Sequence, residues 1–167
     1  MIIINKILSL IFSVTILFIV SSCDGGLAPR KESDKSVLNG KIKFVKGNDN
    51  WPPEDSVFAI RAAAFKEMPD SNIILAILGG NAYFTGESLP MYQDSINFTF
   101  DITEAPVNLV YIVAVWQYTP DILSQRVIGV YTETGDKTKA SQLMIEKGNT
   151  YNIEIEVDFD DLPPMPF

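Results

Sequence analysis

The chain has 167 residues, of which 13 are basic and 21 acidic, for a formal net charge of −8. That balance disfavours nucleic acid and anionic lipid headgroups as partners, because both need a basic face. Histidine is absent and Cys23 is the single cysteine, which excludes imidazole acid–base chemistry, Ser-His-Asp triads, zinc sites of the His type and any internal disulfide.

Met1 to Lys6 carries one positive charge and no acid, and Ile7 to Val20 runs without a charge. Ser21-Ser22-Cys23 follows, and polarity rises at Asp24. A charged start, a short apolar run and small residues at the cut define a secretory signal. The rival reading is an uncleaved membrane helix. At 1.5 Å per residue, however, Ile7 to Val20 spans roughly 20 Å against a hydrocarbon core of about 30 Å. Val20-Ser21-Ser22-Cys23 resembles the lipobox of bacterial lipoproteins. The resemblance implies cleavage before Cys23, a diacylglyceryl group on its thiol and an acylated amino terminus, with palmitate as an expected acyl group. Several acyl chains, at about 0.8 kcal/mol per buried methylene, would hold the chain firmly to a bilayer.

Three segments are expected: a cleaved signal over 1–22, a lipidated tether over 23–36 and a folded domain over 37–167. The cleaved chain keeps 12 basic and 21 acidic residues, formally −9, because only Lys6 leaves with the signal. With the thiol spent on lipid, thiol catalysis and Cys-ligated metals are excluded as well. Asp24 to Ser36 is polar, with Gly25-Gly26 and Pro29, and reads as a flexible spacer.

From Val37 onward, period-two alternation dominates. Ile42 and Phe44 alternate with Lys41 and Lys43. Ile96, Phe98, Phe100 and Ile102 alternate with Asn97, Thr99 and Asp101. Ile153, Ile155, Val157 and Phe159 alternate with Asn152, Glu154, Glu156 and Asp158. These patterns predict strands wet on one face. Val107 to Trp116 is apolar on both faces, which predicts a central strand covered on both sides or one whose outer face meets a partner. Val57 to Phe65 and Arg126 to Thr132 are further strands, and Lys139 to Ile145 is a lesser one. Ser71 to Gly79 reads as a helical turn capped by Ser71 and stopped by Gly79-Gly80, with a strand as the alternative. About seven strands with frequent turns predict an all-β fold, a single antiparallel β-sandwich of transthyretin-like or Ig-like kind, with a closed barrel as the alternative.

Several stretches resemble a group of uncharacterised bacterial lipoproteins: Leu38-Asn39-Gly40-Lys41-Ile42-Lys43-Phe44, Trp51-Pro52-Pro53 and Ile60-Arg61-Ala62-Ala63-Ala64-Phe65. The likeness continues through Gly80-Asn81-Ala82-Tyr83-Phe84 and Ile128-Gly129-Val130-Tyr131 to Val157-Asp158-Phe159-Asp160-Asp161-Leu162-Pro163-Pro164. That group brings no activity with it. More loosely, Gly40-Lys41-Ile42 and Tyr151-Asn152-Ile153 are similar to the opening and late strands of transthyretin-like and carboxypeptidase-regulatory-like domains. This implies a sandwich that serves as a non-catalytic appendage.

Cys23 is the expected lipidation site. Asp158, Asp160 and Asp161 form the densest acidic cluster and are candidate Ca²⁺ ligands, since clustered carboxylates repel and oxygen ligands suit that ion. The bland alternative is a solvated, charge-protected strand edge. Trp51, Tyr83, Tyr92 and Tyr118, with Trp116, are candidates for a glycan or peptide platform, against ordinary packing in core and loops. Leu162 to Phe167 is a proline-rich end, either a docking peptide or a tail lying along the domain. No catalytic residue, metal or cofactor is expected. The sequence points to a module held to the cell envelope, at the outer membrane or periplasmic face, where it binds an envelope protein or a glycan. A carboxylate-based glycan hydrolase and a structural spacer are the alternatives.

Overall fold

The structure is a computed structural model that describes residues 35–70 and 73–166. The expected signal, Cys23 and nearly all of the expected tether, together with Ser71, Asn72 and Phe167, lie outside the described residues. The described part belongs to one compact unit and is mostly β. None of its helices is long and apolar enough to cross a membrane.

Nine strands are present among the described residues: β1 (Ser36–Phe44), β2 (Ala59–Phe65), β3 (Ala82–Phe84), β4 (Ser95–Ile102), β5 (Val107–Leu109), β6 (Tyr111–Gln117), β7 (Gln125–Val130), β8 (Leu143–Ile145) and β9 (Thr150–Val157). One α-helix among the described residues, α1 (Ile73–Leu78), lies between β2 and β3, and two short 3-10 turns (Gly47–Asn50 and Glu54–Ser56) lie between β1 and β2. Three strands form a sheet in the order β4-β1-β9, four form a second in the order β3-β2-β6-β7, and β5 pairs with β8.

The alternating stretches become strands with one dry and one wet face. β4 runs exposed, buried, exposed, buried along its whole length, and β1 and β9 do so over their apolar halves. Their inward residues, among them Leu38, Ile42, Phe98, Phe100 and Ile155, meet Ile60, Ala62, Ala64, Ile112, Ala114 and Ile128 of the four-stranded sheet in a shared core. Gly40 makes room in that core. It stands opposite Phe98 in the β1–β4 register, and the Phe98 ring occupies the space a side chain at Gly40 would fill.

Two expectations about the sheets need correction. The pairing is not antiparallel throughout, because β1 and β9 run parallel, with Gly40 opposite Ile153 and Ile42 opposite Ile155. The first and last strands are joined through the whole domain, so no short hairpin dictates their direction. The apolar run over 107–116 is not one strand either. Val107 to Leu109 pairs with β8, whereas Tyr111 to Gln117 pairs with β2 and β7. Between them Val110 donates its N–H to the Phe65 carbonyl at 2.8 Å. The chain thus changes partner without leaving a buried donor unpaired.

β6 explains its apolar sequence. It is an inner strand, flanked by β2 and β7. Ile112 and Ala114 point into the shared core, while Tyr111, Val113 and Val115 join Ala63, Phe65, Ile73, Val127 and Val130 in a second cluster on the outer face. Helix α1 and Met165 of the C-terminal tail pack on that cluster. The helix expected near 71–79 is present as Ile73–Leu78 and ends as expected at the glycine pair. Gly80, at φ +76°, donates to Ile77, and Asn81 donates to Ala76. These two bonds are a left-handed cap that satisfies the last helical carbonyls.

Candidate functional site

The aromatic candidates do not form one open platform. Trp51 is half-buried, 4.3 Å from Phe44, 5.0 Å from Tyr92 and 5.4 Å from Phe159 between ring centroids. Its indole N–H donates to the Gln93 carbonyl at 3.1 Å, so it pins the loop that leaves β1 over one end of the core. Trp116 meets Phe159 edge-on at 6.0 Å and Tyr118 at 5.9 Å. Of Trp51, Tyr92, Trp116 and Tyr118, only Tyr118 is exposed. Tyr83 stands on β3 with its ring 6.4 Å from Phe100 and the Lys66 ammonium 5.2 Å from its centroid. Burial raises the Tyr83 phenol above its ordinary range.

The acidic candidates are likewise distributed among separate partners. The strand ends at Val157, so Asp158 and Asp160 do not extend the outward row of Glu154 and Glu156. The Asp158 carboxylate accepts from the Asn50 amide at 3.2 Å and from the Asp160 N–H at 3.0 Å. Asp160 pairs with Lys46 at 2.5 Å and Asp161 with Lys137 at 3.0 Å. Among the described residues no group of three or more His, Cys, Asp or Glu is placed to hold a metal. Glu154 and Glu156 stand opposite Lys41 and Lys43 in the β1–β9 register.

The two sheets differ in what they show to solvent. The outer face of β4-β1-β9 is polar, with Thr99 donating to Asn39 and Asn39 donating to Asn152 across the three strands. The outer face of β3-β2-β6-β7 is apolar and incompletely covered. Between α1, β2, β6 and the β6–β7 loop lies a groove of about 240 Å³. Ala63 and Val115 contribute to it from the sheet, Ile73, Ile74, Ile77 and Leu78 from the helix, Phe84 from β3 and Ile122 from the loop. Among the described residues, its charged or amide-bearing lining residues are Arg61 and Gln125, and none of them is a carboxylate. Of its lining residues, Leu78, Phe84 and Ile122 are 77, 46 and 56 % exposed. An open groove with apolar walls is a candidate binding site.

Arg61 is the polar feature of the groove. It lies on the outer face of β2, opposite Val115 in register. Its guanidinium donates to the Gln117 side-chain oxygen at 2.6 Å. Gln117 is buried, and its amide nitrogen donates to the Thr119 carbonyl at 2.8 Å, which turns the amide oxygen toward Arg61. The same loop is tied by Ser124 donating to Asp121 and Tyr118 donating to Ser124. Ile122 and the guanidinium are therefore both held by hydrogen-bonded structure.

Neither the groove nor Arg61 was among the candidates read from the sequence. A signal for it existed in Ile73 to Leu78, Ile-Ile-Leu-Ala-Ile-Leu, which has no polar residue. A helix apolar all round is either buried or faces a partner, and this one leaves Leu75 and Leu78 in solvent.

No family model, no curated protein and no solved structure matches this chain.

Proposed function

We propose that the chain is a lipoprotein of the bacterial envelope, cleaved before Cys23 and acylated on it, whose domain is a non-catalytic binding module. The domain is read as a β-sandwich of the transthyretin-like kind. Two sheets sharing one core support that reading. So does the position of the two stretches that carry the likeness, Gly40-Lys41-Ile42 and Tyr151-Asn152-Ile153, on strands that are hydrogen-bonded neighbours. The Val20-Ser21-Ser22-Cys23 run supports the anchor.

The observation that carries the binding role is the open apolar groove beside α1, with exposed Leu78, Phe84 and Ile122 in its lining. A glycan would need a dense set of polar groups to replace the water on its hydroxyls. An apolar groove with few polar groups suits an apolar ligand or side chain better.

The test is chemical cross-linking in membranes carrying the full chain, followed by recovery through the chain itself. Wild type is expected to recover a bound component. A Leu78→Asp, Phe84→Asp variant, altered only at exposed rim positions, is expected to lose it. Recovery of the bait alone, or equal recovery by both chains, would count against the proposal.

A further inference from the structure

We propose that the groove binds an amphiphilic carboxylate, an apolar body ending in a carboxylate group, with the head paired to Arg61. The inference rests on the reading above that this groove is the binding site, and it adds the ligand's chemical class.

Three observations converge on it. The first is charge. Arg61 takes part in no ion pair among the described residues, although the whole chain carries an excess of acids. A guanidinium carries five N–H donors, and its side-chain partner here, the neutral Gln117 amide, uses one nitrogen. Arg61 lines the groove, and apart from Gln125 the other described side chains that line it are apolar. A planar fork of that kind is complementary to a carboxylate, and its strength rises where water is scarce.

The second observation is preorganisation. Gln117 is fixed by bonds from its amide nitrogen to the Thr119 and Asp121 carbonyls at 2.8 and 3.4 Å. Arg61 is held from behind by that amide, so less side-chain freedom remains to be lost when an anion docks. The third is size. A cavity of about 150 Å³ takes benzene, so a groove of about 240 Å³ takes an apolar body of roughly ten carbons by proportion.

The experiment uses the full chain held in phosphatidylcholine nanodiscs and a ten-carbon fatty acid carrying a photoreactive diazirine at its far end. Irradiation is expected to label α1 or Ile122. Unlabelled decanoate is expected to compete at least tenfold better than decanol, the same chain without the charge, because a charge-assisted hydrogen bond separates them. Arg61→Met is expected to reduce labelling by about tenfold or more with an unchanged circular dichroism spectrum. The decanol comparison needs no variant, so it stands if Arg61→Met does not fold. Equal competition by decanol and decanoate would overturn the inference, as would labelling outside the groove or unchanged labelling of folded Arg61→Met. Those results leave the binding role itself to the rim variants, whose cross-linking does not depend on the ligand's charge.

Discussion

Gly129 stands where β7 packs tightly against β9. A Cβ placed there would lie 2.7 Å from an Ile155 methyl, 2.8 Å from the Glu156 carbonyl oxygen and 2.8 Å from a Val157 methyl. One of these obstacles is backbone and cannot rotate away. Gly129→Ala is therefore expected to destabilise the domain by about 1 to 3 kcal/mol through overpacking, read as a lower midpoint in urea unfolding. Tyr111 gives a second prediction at this scale. Burial pushes its phenol up to about 12 from an ordinary 10.0. The unfolded chain releases this proton near pH 10 and the folded chain holds it to about 12. The stability that Tyr111 contributes is thus complete below pH 10 and lost as pH rises through 12, a change of up to about 2 to 3 kcal/mol. Unfolding measured from pH 9 to pH 12 should fall less steeply in Tyr111→Phe than in wild type. The sequence foreshadows such residues unevenly. Gly129 lies in a strand pattern, where a lone glycine signals a bulge or a close approach. The close approach itself comes from a strand far along the chain, which local pattern does not reveal.

At the scale of elements, β7 shows how a small irregularity serves two cores. Val115 pairs with Val127 and Ala114 with Gly129, so Ile128 is an extra residue in the ladder. The bulge lets Val127 and Val130 both face the outer cluster while Ile128 faces the shared core. β7 is also an edge strand, and exposed edges invite pairing with other chains. The C-terminal tail lies along this edge. Leu162 packs on the shared core, Met165 packs on the outer cluster, and the Val127 N–H donates to the Met165 sulfur at 3.5 Å. Met165→Ala should cost about 1 kcal/mol, less than the roughly 2 to 5 kcal/mol of a fully buried methionine, because this one is only half-buried. It should also make the domain more prone to concentration-dependent association, measured by light scattering.

The strands that were easiest to anticipate, β1, β4 and β9, are those with one wet face, because solvent forces the alternation into the sequence. β5 and β8 were merged or blurred, since three-residue strands are too short to show a period. The break at Val110 was hidden because β5 and β6 are both apolar and only their partners differ.

At the scale of the whole molecule, the two main sheets share a core but turn unlike faces outward. One outer face carries a polar ladder through Asn39, Thr99 and Asn152, and the other carries an apolar cluster with an open groove. The all-β class was legible because turns punctuate alternating runs through the domain. The groove was not, because it depends on α1 folding back against β2 and on a loop between β6 and β7, contacts that no single stretch encodes. No local pattern marks Arg61, because its distinction lies in what surrounds it. Chemistry at the far end of the chain is expected to decide where this groove is displayed.

The central claim is that the domain is carried by a lipidated Cys23, and the most direct measurement is growth with an alkyne-tagged palmitate followed by mass analysis of the mature amino-terminal peptide. The account predicts that Cys23 is the first residue and bears the acyl groups, and that Cys23→Ser takes up no label. A wild-type chain without label, a label that persists in Cys23→Ser, or a mature chain that begins elsewhere would contradict it.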